Sequence, residues 1–171
     1  TTDSGNNWYT ISSGSFETID FPDINTGFSV SGSSILRTTN SGTNWIEVFY
    51  DTHLFNPYTY FLNNSTGFVC GSNNSAVLLK TTNGGSQWFS ANVGGYNDRL
   101  RGIFFLNDFT GFIASGYGVA LKTTDQGFNW TIQTISYNYN FNSIYFNNID
   151  TGFIVGATNY FAGTPYARIF K

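Results

Sequence analysis

Asp51 and Asp98 are the acidic side chains most open to a chemical role. Both fall in loops between strands of different repeat units, so they could face one cleft. Two carboxylates flanking a bond are what glycoside hydrolysis requires, one as acid and the other as base or nucleophile. Nothing else in the chain supports that pairing. His53 is the single histidine, and neither a hydrogen-bonded triad nor a histidine-rich metal site can be assembled around it. Cys70, within Gly-Phe-Val-Cys-Gly, reads as a small buried strand residue, and a lone cysteine forms no disulfide within the chain. The glycine pairs in GGYN and SGYG lack the strand-to-helix setting of a phosphate loop. Asp20, Asp23, Asp108 and Asp150 recur between an apolar strand and a Thr-Gly-Phe segment, which marks them as turn residues. Asn63, Asn64, Asn73 and Asn129 match the N-x-Ser/Thr acceptor pattern, which Asn-rich turns produce by chance. The expectation is therefore a non-catalytic chain with no metal and no cofactor.

The elements that carry these residues repeat. TTDSGNNW at 1–8 returns as TTNSGTNW at 38–45, TTNGGSQW at 81–88 and TTDQGFNW at 123–130. Thr-Gly-Phe lies between the copies at 26–28, 66–68, 110–112 and 151–153. The tryptophans Trp8, Trp45, Trp88 and Trp130 are separated by 37, 43 and 42 residues. A period of roughly 40–45 residues built from short strands is the pattern of propeller blades. Helical repeats would need long apolar stretches of 3.6-residue period, and none occurs. The chain thus reads as one domain over 1–171, with repeats at about 1–37, 38–80, 81–122 and 123–171.

Each repeat reads as four strands. The first is ETIDF at 17–21, YTYFL at 58–62, RGIFFLND at 101–108 and NSIYF at 142–146. Thr-Gly-Phe turns into the second, Gly111 supplying the bend in its copy. The third is SILRTT, AVLLKTT, VALKTT or ARIFK, and the fourth begins at each tryptophan. Between the third and fourth strands, Asp3, Asn40, Asn83 and Asp125 are placed to accept backbone N–H bonds. Two residues later, Gly5, Gly42, Gly85 and Gly127 allow positive φ. Trp8, Trp45, Trp88 and Trp130 then cover the hairpins and pack between units.

These segments resemble the Asp-box of BNR-repeat β-propellers, Ser/Thr-x-Asp-x-Gly-x-x-Trp, found in sialidases, Vps10-domain receptors and xyloglucan-degrading hydrolases. Thr-Gly-Phe followed by a Lys-Thr-Thr-Asp-x-Gly-x-x-Trp stretch looks most like propellers related to the photosystem II assembly factor Ycf48. Similar repeats are frequent in large secreted proteins of the Bacteroidetes. The resemblance covers nearly the whole chain and implies an all-β propeller of four-stranded antiparallel blades. Asn40 and Asn83 stand where the motif has Asp, and an amide oxygen still accepts the turn bonds. Asp and Trp of the motif are structural by this resemblance, and ligands bind at the opposite face. Sialidase chemistry would need three arginines on a carboxylate, a Tyr–Glu pair and an acid–base Asp. The chain has only Arg37, Arg99, Arg101 and Arg168, only Glu17 and Glu47, and no Arg-Ile-Pro segment.

The chain ends on a third strand, ARIFK, and opens on the hairpin and fourth strand that this repeat lacks. Residues 1–11 beside 167–171 would complete a fourth blade and remove both open edges. The alternatives are two chains forming one eight-bladed ring, or four units of a larger propeller or longer array. The chain opens inside a repeat motif with no visible signal peptide, as an excised piece of a longer protein would.

The loops opposite the turns carry His53, Phe55, Tyr58, Tyr96, Asp98, Arg99, Arg101, Tyr117, Tyr137, Tyr139, Tyr160 and Tyr166. Tyrosine offers an apolar face with a polar tip, which suits sugar rings or protein partners. Only 10% of residues are charged, against about 25% in ordinary soluble domains. The surface must then be built from Asn, Ser, Thr, Gly and Tyr, as suits a secreted or cell-surface protein. Net charge is −3 and the seven basic residues are scattered, so nucleic acid is not an expected partner. No apolar run approaches the roughly 20 residues of a membrane span. The reading is a binding module for protein or glycan, or a rigid spacer. The alternatives are a fragment of an Asp-box glycoside hydrolase using Asp51 and Asp98, and an assembly factor for a membrane complex, whose arginine-rich patch four dispersed arginines do not make.

Overall fold

The computed structural model describes residues 1–50, 54–72, 74–158 and 167–171. Fifteen strands form four antiparallel sheets among these residues, with no helix. The first sheet is β1 (Thr18–Asp20), β2 (Gly27–Ser31), β3 (Ser34–Thr38) and β4 (Ile46–Tyr50). The second is β5 (Phe55–Phe61), β6 (Gly67–Ser72), β7 (Ala76–Thr81) and β8 (Phe89–Ser90). The third is β9 (Leu100–Phe105), β10 (Gly111–Ser115), β11 (Val119–Thr123) and β12 (Thr131–Thr134). The fourth has three strands, β13 (Tyr139–Asn148), β14 (Thr151–Thr158) and β15 (Ala167–Phe170). Chain order is spatial order in every sheet, as consecutive hairpins dictate.

Each sheet stacks on the next. Phe28, Val30 and Ile35 of the first meet Phe61, Val69, Leu79 and Trp88 of the second. The opposite face of the second sheet, through Phe68, Cys70 and Leu78, meets Leu100, Phe105, Ile113, Leu121 and Trp130 of the third. Phe112, Ala114 and Ala120 then meet Phe141, Ile144 and Ile154 of the fourth. Alternate residues of a strand point to opposite faces, so β6 and β10 are buried along their whole length. Full burial of each such aromatic or aliphatic side chain contributes about 1.5–3 kcal/mol. The first strands β1, β5, β9 and β13 pack against one another in sequence and form the inner edge of the stack.

One aromatic arrangement recurs at every join. The Phe of Thr-Gly-Phe stacks flat on the Phe near the end of the next sheet's first strand. The centroids are 3.8 Å apart for Phe28–Phe61, 4.7 Å for Phe68–Phe105 and 3.7 Å for Phe112–Phe146. A tryptophan then meets the second ring edge-on, Trp88 on Phe61 at 6.1 Å and Trp130 on Phe105 at 5.8 Å. These are the stacked and T-shaped geometries that the ring quadrupole favours. A cation completes the set: Arg37, Lys80 and Lys122 lie over Phe28, Phe68 and Phe112 at 5.7–5.8 Å. Lys80 is buried, and its Nζ donates to the Gln126 carbonyl of the following sheet at 2.8 Å. Burial pulls its pKa below the ordinary lysine value.

The four Thr-Thr-Asx turns share one hydrogen-bond set. The backbone N–H of Asn7, Asn44, Gln87 and Asn129 donates to the side-chain oxygen of Asp3, Asn40, Asn83 and Asp125 at 2.9–3.0 Å. The N–H of each turn glycine donates to the first Thr hydroxyl at 2.9–3.0 Å. Gly5, Gly42, Gly85 and Gly127 all have φ between 78° and 87°, as the turn reading requires. The residue before each is also left-handed, at Ser4, Ser41, Gly84 and Gln126, a feature the sequence reading did not contain.

Three expectations change. The expected pairing of residues 1–11 with 167–171 is not made within one chain. The fourth sheet stops at β15, residues 1–17 form no strand, and Trp8 is 78% exposed. The glycine of Thr-Gly-Phe is not the bend residue but falls within the first two residues of strand two, lying under the Phe ring of strand one. An added Cβ would stand 2.6 Å from the Phe21 ring at Gly27 and from the Phe105 ring at Gly111. The bend itself is made by Asp23, Asn63, Asn107 and Asn148, whose side-chain oxygens accept the N–H of the following Thr at 2.6–2.9 Å. Asp20 is no turn residue: it lies in β1, and its carboxylate accepts the Phe61 N–H of the next sheet at 2.6 Å.

Candidate functional site

The starts of three inner-edge strands converge on a polar cleft of about 270 Å³. β5 contributes Asn56 and Tyr58, β9 contributes Leu100 and Arg101 with Arg99 just before it, and β13 contributes Asn142. Ser72, at the end of β6, closes one side. Arg101 donates from Nη1 to Asn142 Oδ1 at 2.7 Å, which ties the third sheet to the fourth and holds the guanidinium at the cleft. Arg99 is exposed, while its carbonyl accepts the Ser115 hydroxyl at 2.5 Å. Asn56 has φ of 48°, at a point where the register of β5 against β6 shifts between Phe55 and Tyr58. That bulge re-aims the strand start toward the cleft. A depression of about 210 Å³ shares Ser72 and Arg99 and continues to Asn74, Ser75 and Asp98.

The residues singled out from sequence divide. Tyr58, Arg99 and Arg101 come together in the cleft, and Asp98 borders it. The Asp98 carboxylate occupies the space that a side chain at Gly116 would need, beside Asn140. Phe55 opens β5 and is 57% exposed. Tyr117 and Tyr137 are exposed on neighbouring loops, joined where the Ile135 and Ser136 N–H groups donate to the Gly118 carbonyl.

Two tyrosines are not ligand-facing. The Tyr96 hydroxyl donates to the Gly116 carbonyl at 2.9 Å and lies 2.9 Å from Ser115 Oγ, whose proton goes to the Arg99 carbonyl. Burial raises its pKa. Tyr139 is buried in the core of the third and fourth sheets, edge-on to Phe170 at 5.1 Å. It belongs to β13, which begins three residues before the strand expected at 142–146.

His53, Tyr160 and Tyr166 lie outside the described residues, as does Asp51, so the Asp51–Asp98 pair has no described geometry. Asn56, Ser72 and Asn142 are cleft residues that the sequence reading missed. Recurrence was the available signal for Asn142, since it opens the first strand expected for its repeat as Tyr58 and Arg101 open theirs.

The two guanidiniums give the cleft a positive, hydrogen-bond-donating wall. Arginine presents a planar fork matched to carboxylate or phosphate oxygens, and Tyr58 adds an apolar face. Among the described residues no three His, Cys, Asp or Glu side chains gather as a metal site would need. No described helix is long and apolar enough to cross a membrane.

No family model matches the chain, and no curated protein matches it. Solved structures do. A Ycf48 bound to a D1 peptide superposes with TM-score 0.64 at 21% identity, over 88% of this chain and 53% of that one. Ycf48 from Cyanidioschyzon merolae gives 0.69 at 16% identity, over 91% of this chain and 51% of that one. The GH74 enzyme of Niastella koreensis gives 0.67 at 18% identity, over 91% of this chain and 28% of that one. The fold is that of a β-propeller. Its four sheets are blades, and the chain spans about half the length of the Ycf48 chains.

Proposed function

We propose that this chain is a non-catalytic propeller module of a secreted or cell-surface protein, and that it binds an extended protein segment through a carboxylate. The observation that carries the reading is the cleft in which Arg99 and Arg101 from one blade stand beside Tyr58 from the preceding one. A charge-assisted bond from arginine to carboxylate is short and directional, and the fork geometry adds specificity. The Ycf48 structure with a D1 peptide supports a peptide over a glycan as the occupant, because it places a protein segment on a propeller of this architecture. The low charge of the chain and its Asn-, Ser- and Thr-rich surface support a setting outside the cell.

The test is titration calorimetry against extended peptides that carry either a free or an amidated C-terminus. The free acid is expected to bind, and amidation to weaken it. Arg99→Gln with Arg101→Gln is expected to lower affinity at least about tenfold, as loss of a hydrogen bond to a charged group implies, with the circular dichroism unchanged. Equal affinity of the double variant, or tighter binding of an uncharged glycan, would overturn the peptide reading.

A further inference from the structure

The arginine cleft opens beside a second depression, and the two differ in charge. Asp98 and Arg99 directly precede β9, and Arg101 is its second residue, so one acid and two cations reach the surface at a single strand start. Arg99 and Ser72 border both spaces. The cleft holds Arg101 with Tyr58, whereas the depression of about 210 Å³ holds Asp98 with Asn74 and Ser75.

The fold places the Asp98 carboxylate without pairing it. The side chain is half-buried, and its Oδ2 lies in the space that a Cβ on Gly116 would take, just beyond β10. Only glycine there lets the carboxylate come so close to the backbone. Asn140 Oδ1 stands 3.1 Å from the same point, and it is an acceptor already bonded to the Tyr117 N–H at 3.3 Å. Arg101 turns its Nη1 to Asn142 Oδ1 at 2.7 Å rather than to Asp98. Among the described residues no donor and no cation is bonded to the Asp98 carboxylate. Both signs of charge nevertheless act on one nearby group. Burial is the main cause that raises the Tyr96 pKa, and behind it Asp98 raises the value while Arg101 lowers it.

A carboxylate that is partly withdrawn from water and left unpaired costs free energy until a donor reaches it. Here the neighbouring arginines do not supply that donor, so a ligand must. Opposite charges set side by side attract a partner with the complementary pair and repel one whose charges are reversed or alike.

We propose that Asp98 selects the residue that carries the bound carboxylate: the site takes a chain end whose free carboxylate lies on Arg99 and Arg101 and whose own side chain brings a cation to Asp98. The partner is thus a protein segment ending in a basic residue. One residue serves both charges because the two spaces share Arg99 and Ser72. Lysine offers a compact ammonium on a flexible four-carbon stem, which suits an acid set apart from the carboxylate clamp. A terminal glutamate would place a second acid against Asp98. This deepens the peptide reading and rests on it.

The test is titration calorimetry of the full chain against N-acetylated Ser-Ala-Ser-Ala-X peptides, with X lysine, norleucine or glutamate, each as the free acid and as the amide. Norleucine keeps the stem of lysine and removes the ammonium. Among the free acids lysine is expected to bind tightest, norleucine about three- to tenfold more weakly, and glutamate more weakly still. Asp98→Asn is expected to remove the difference between lysine and norleucine and to improve the binding of glutamate. Equal affinity of the lysine and norleucine free acids for the wild-type chain, or a lysine preference that survives Asp98→Asn, would overturn the proposal. If amidation weakens all three peptides and no order appears among them, the carboxylate reading stands and this inference alone fails. If the amides bind as tightly as the acids, or if no peptide binds, both fail.

Discussion

Gly111 illustrates how a residue can be placed correctly and explained wrongly from sequence. Its recurrence with Phe112 was legible, and so was a turn before the strand, but the reason for glycine was not. Sequence shows spacing, whereas the Phe105 ring that lies over Gly111 is fixed by the pleat of β9 against β10. Gly111→Ala is expected to cost about 1–3 kcal/mol through overpacking, read as a lowered urea midpoint with an unchanged slope. Cys70 is the converse case, since its burial was legible from its strand context. Burial pushes its thiol up to about 12. It should therefore react with a thiol reagent only as fast as the chain unfolds, and rapid labelling of native protein would contradict the packing of β6.

Asp125 gives a pH dependence whose sign follows from its bonds. The Asn129 N–H is the main group that lowers its pKa, with a further contribution from the Asn129 side chain. A carboxylate lowered on folding stabilises above its unfolded pKa, and that stability is lost as pH falls through the folded value. Asn40 and Asn83 accept the same bond without titrating. Asp125→Asn is thus expected to leave the melting temperature at pH 7 nearly unchanged and to raise it relative to wild type near pH 3. Asp20 works the other way. Burial raises its pKa, so its contribution is fullest below the unfolded value and fades as pH rises through the folded one. Keeping Asp20 unchanged in both proteins isolates the Asp125 effect.

At the scale of elements, the hairpins were nearly all visible in the chain because each is a local event: an apolar strand, an Asx or Gly turn, another strand. The third strands and the turns after them fall where they were read, whereas β5 and β13 each begin three residues before the strands expected at 58–62 and 142–146. The candidate site was less legible. Tyr96 and Tyr139 were assigned to loops by their neighbours, but a residue at a strand end can point into either join. That choice depends on which blade stands beside it, and Ser115 and Phe170, which receive these two rings, are distant in sequence. Tyr58, Arg99 and Arg101 line one cleft because all lie on or just before first strands, which meet across blades. The joins carry the cost of substitution. Trp130 is 3% exposed between two blades, and Trp130→Ala is expected to destabilise by about 3–5 kcal/mol, measured by thermal melting.

At the scale of the whole molecule, stability is a sum of blade and join terms, because each blade touches only its neighbours in the stack. The second and third blades are held on both faces, and the first and fourth on one. Opening an end blade of a single copy breaks one join, whereas opening a central blade breaks two or detaches everything beyond it. Native-state hydrogen exchange should therefore rank the blades. Amides of β6, β7, β10 and β11 are expected to exchange slowest. Those of β2, β3 and β14 should be faster, and Tyr9, Thr10 and Ile11 fastest of all, since residues 1–17 form no strand there. A uniform exchange free energy across all four blades would show one cooperative unit instead, and would refute the nearest-neighbour account.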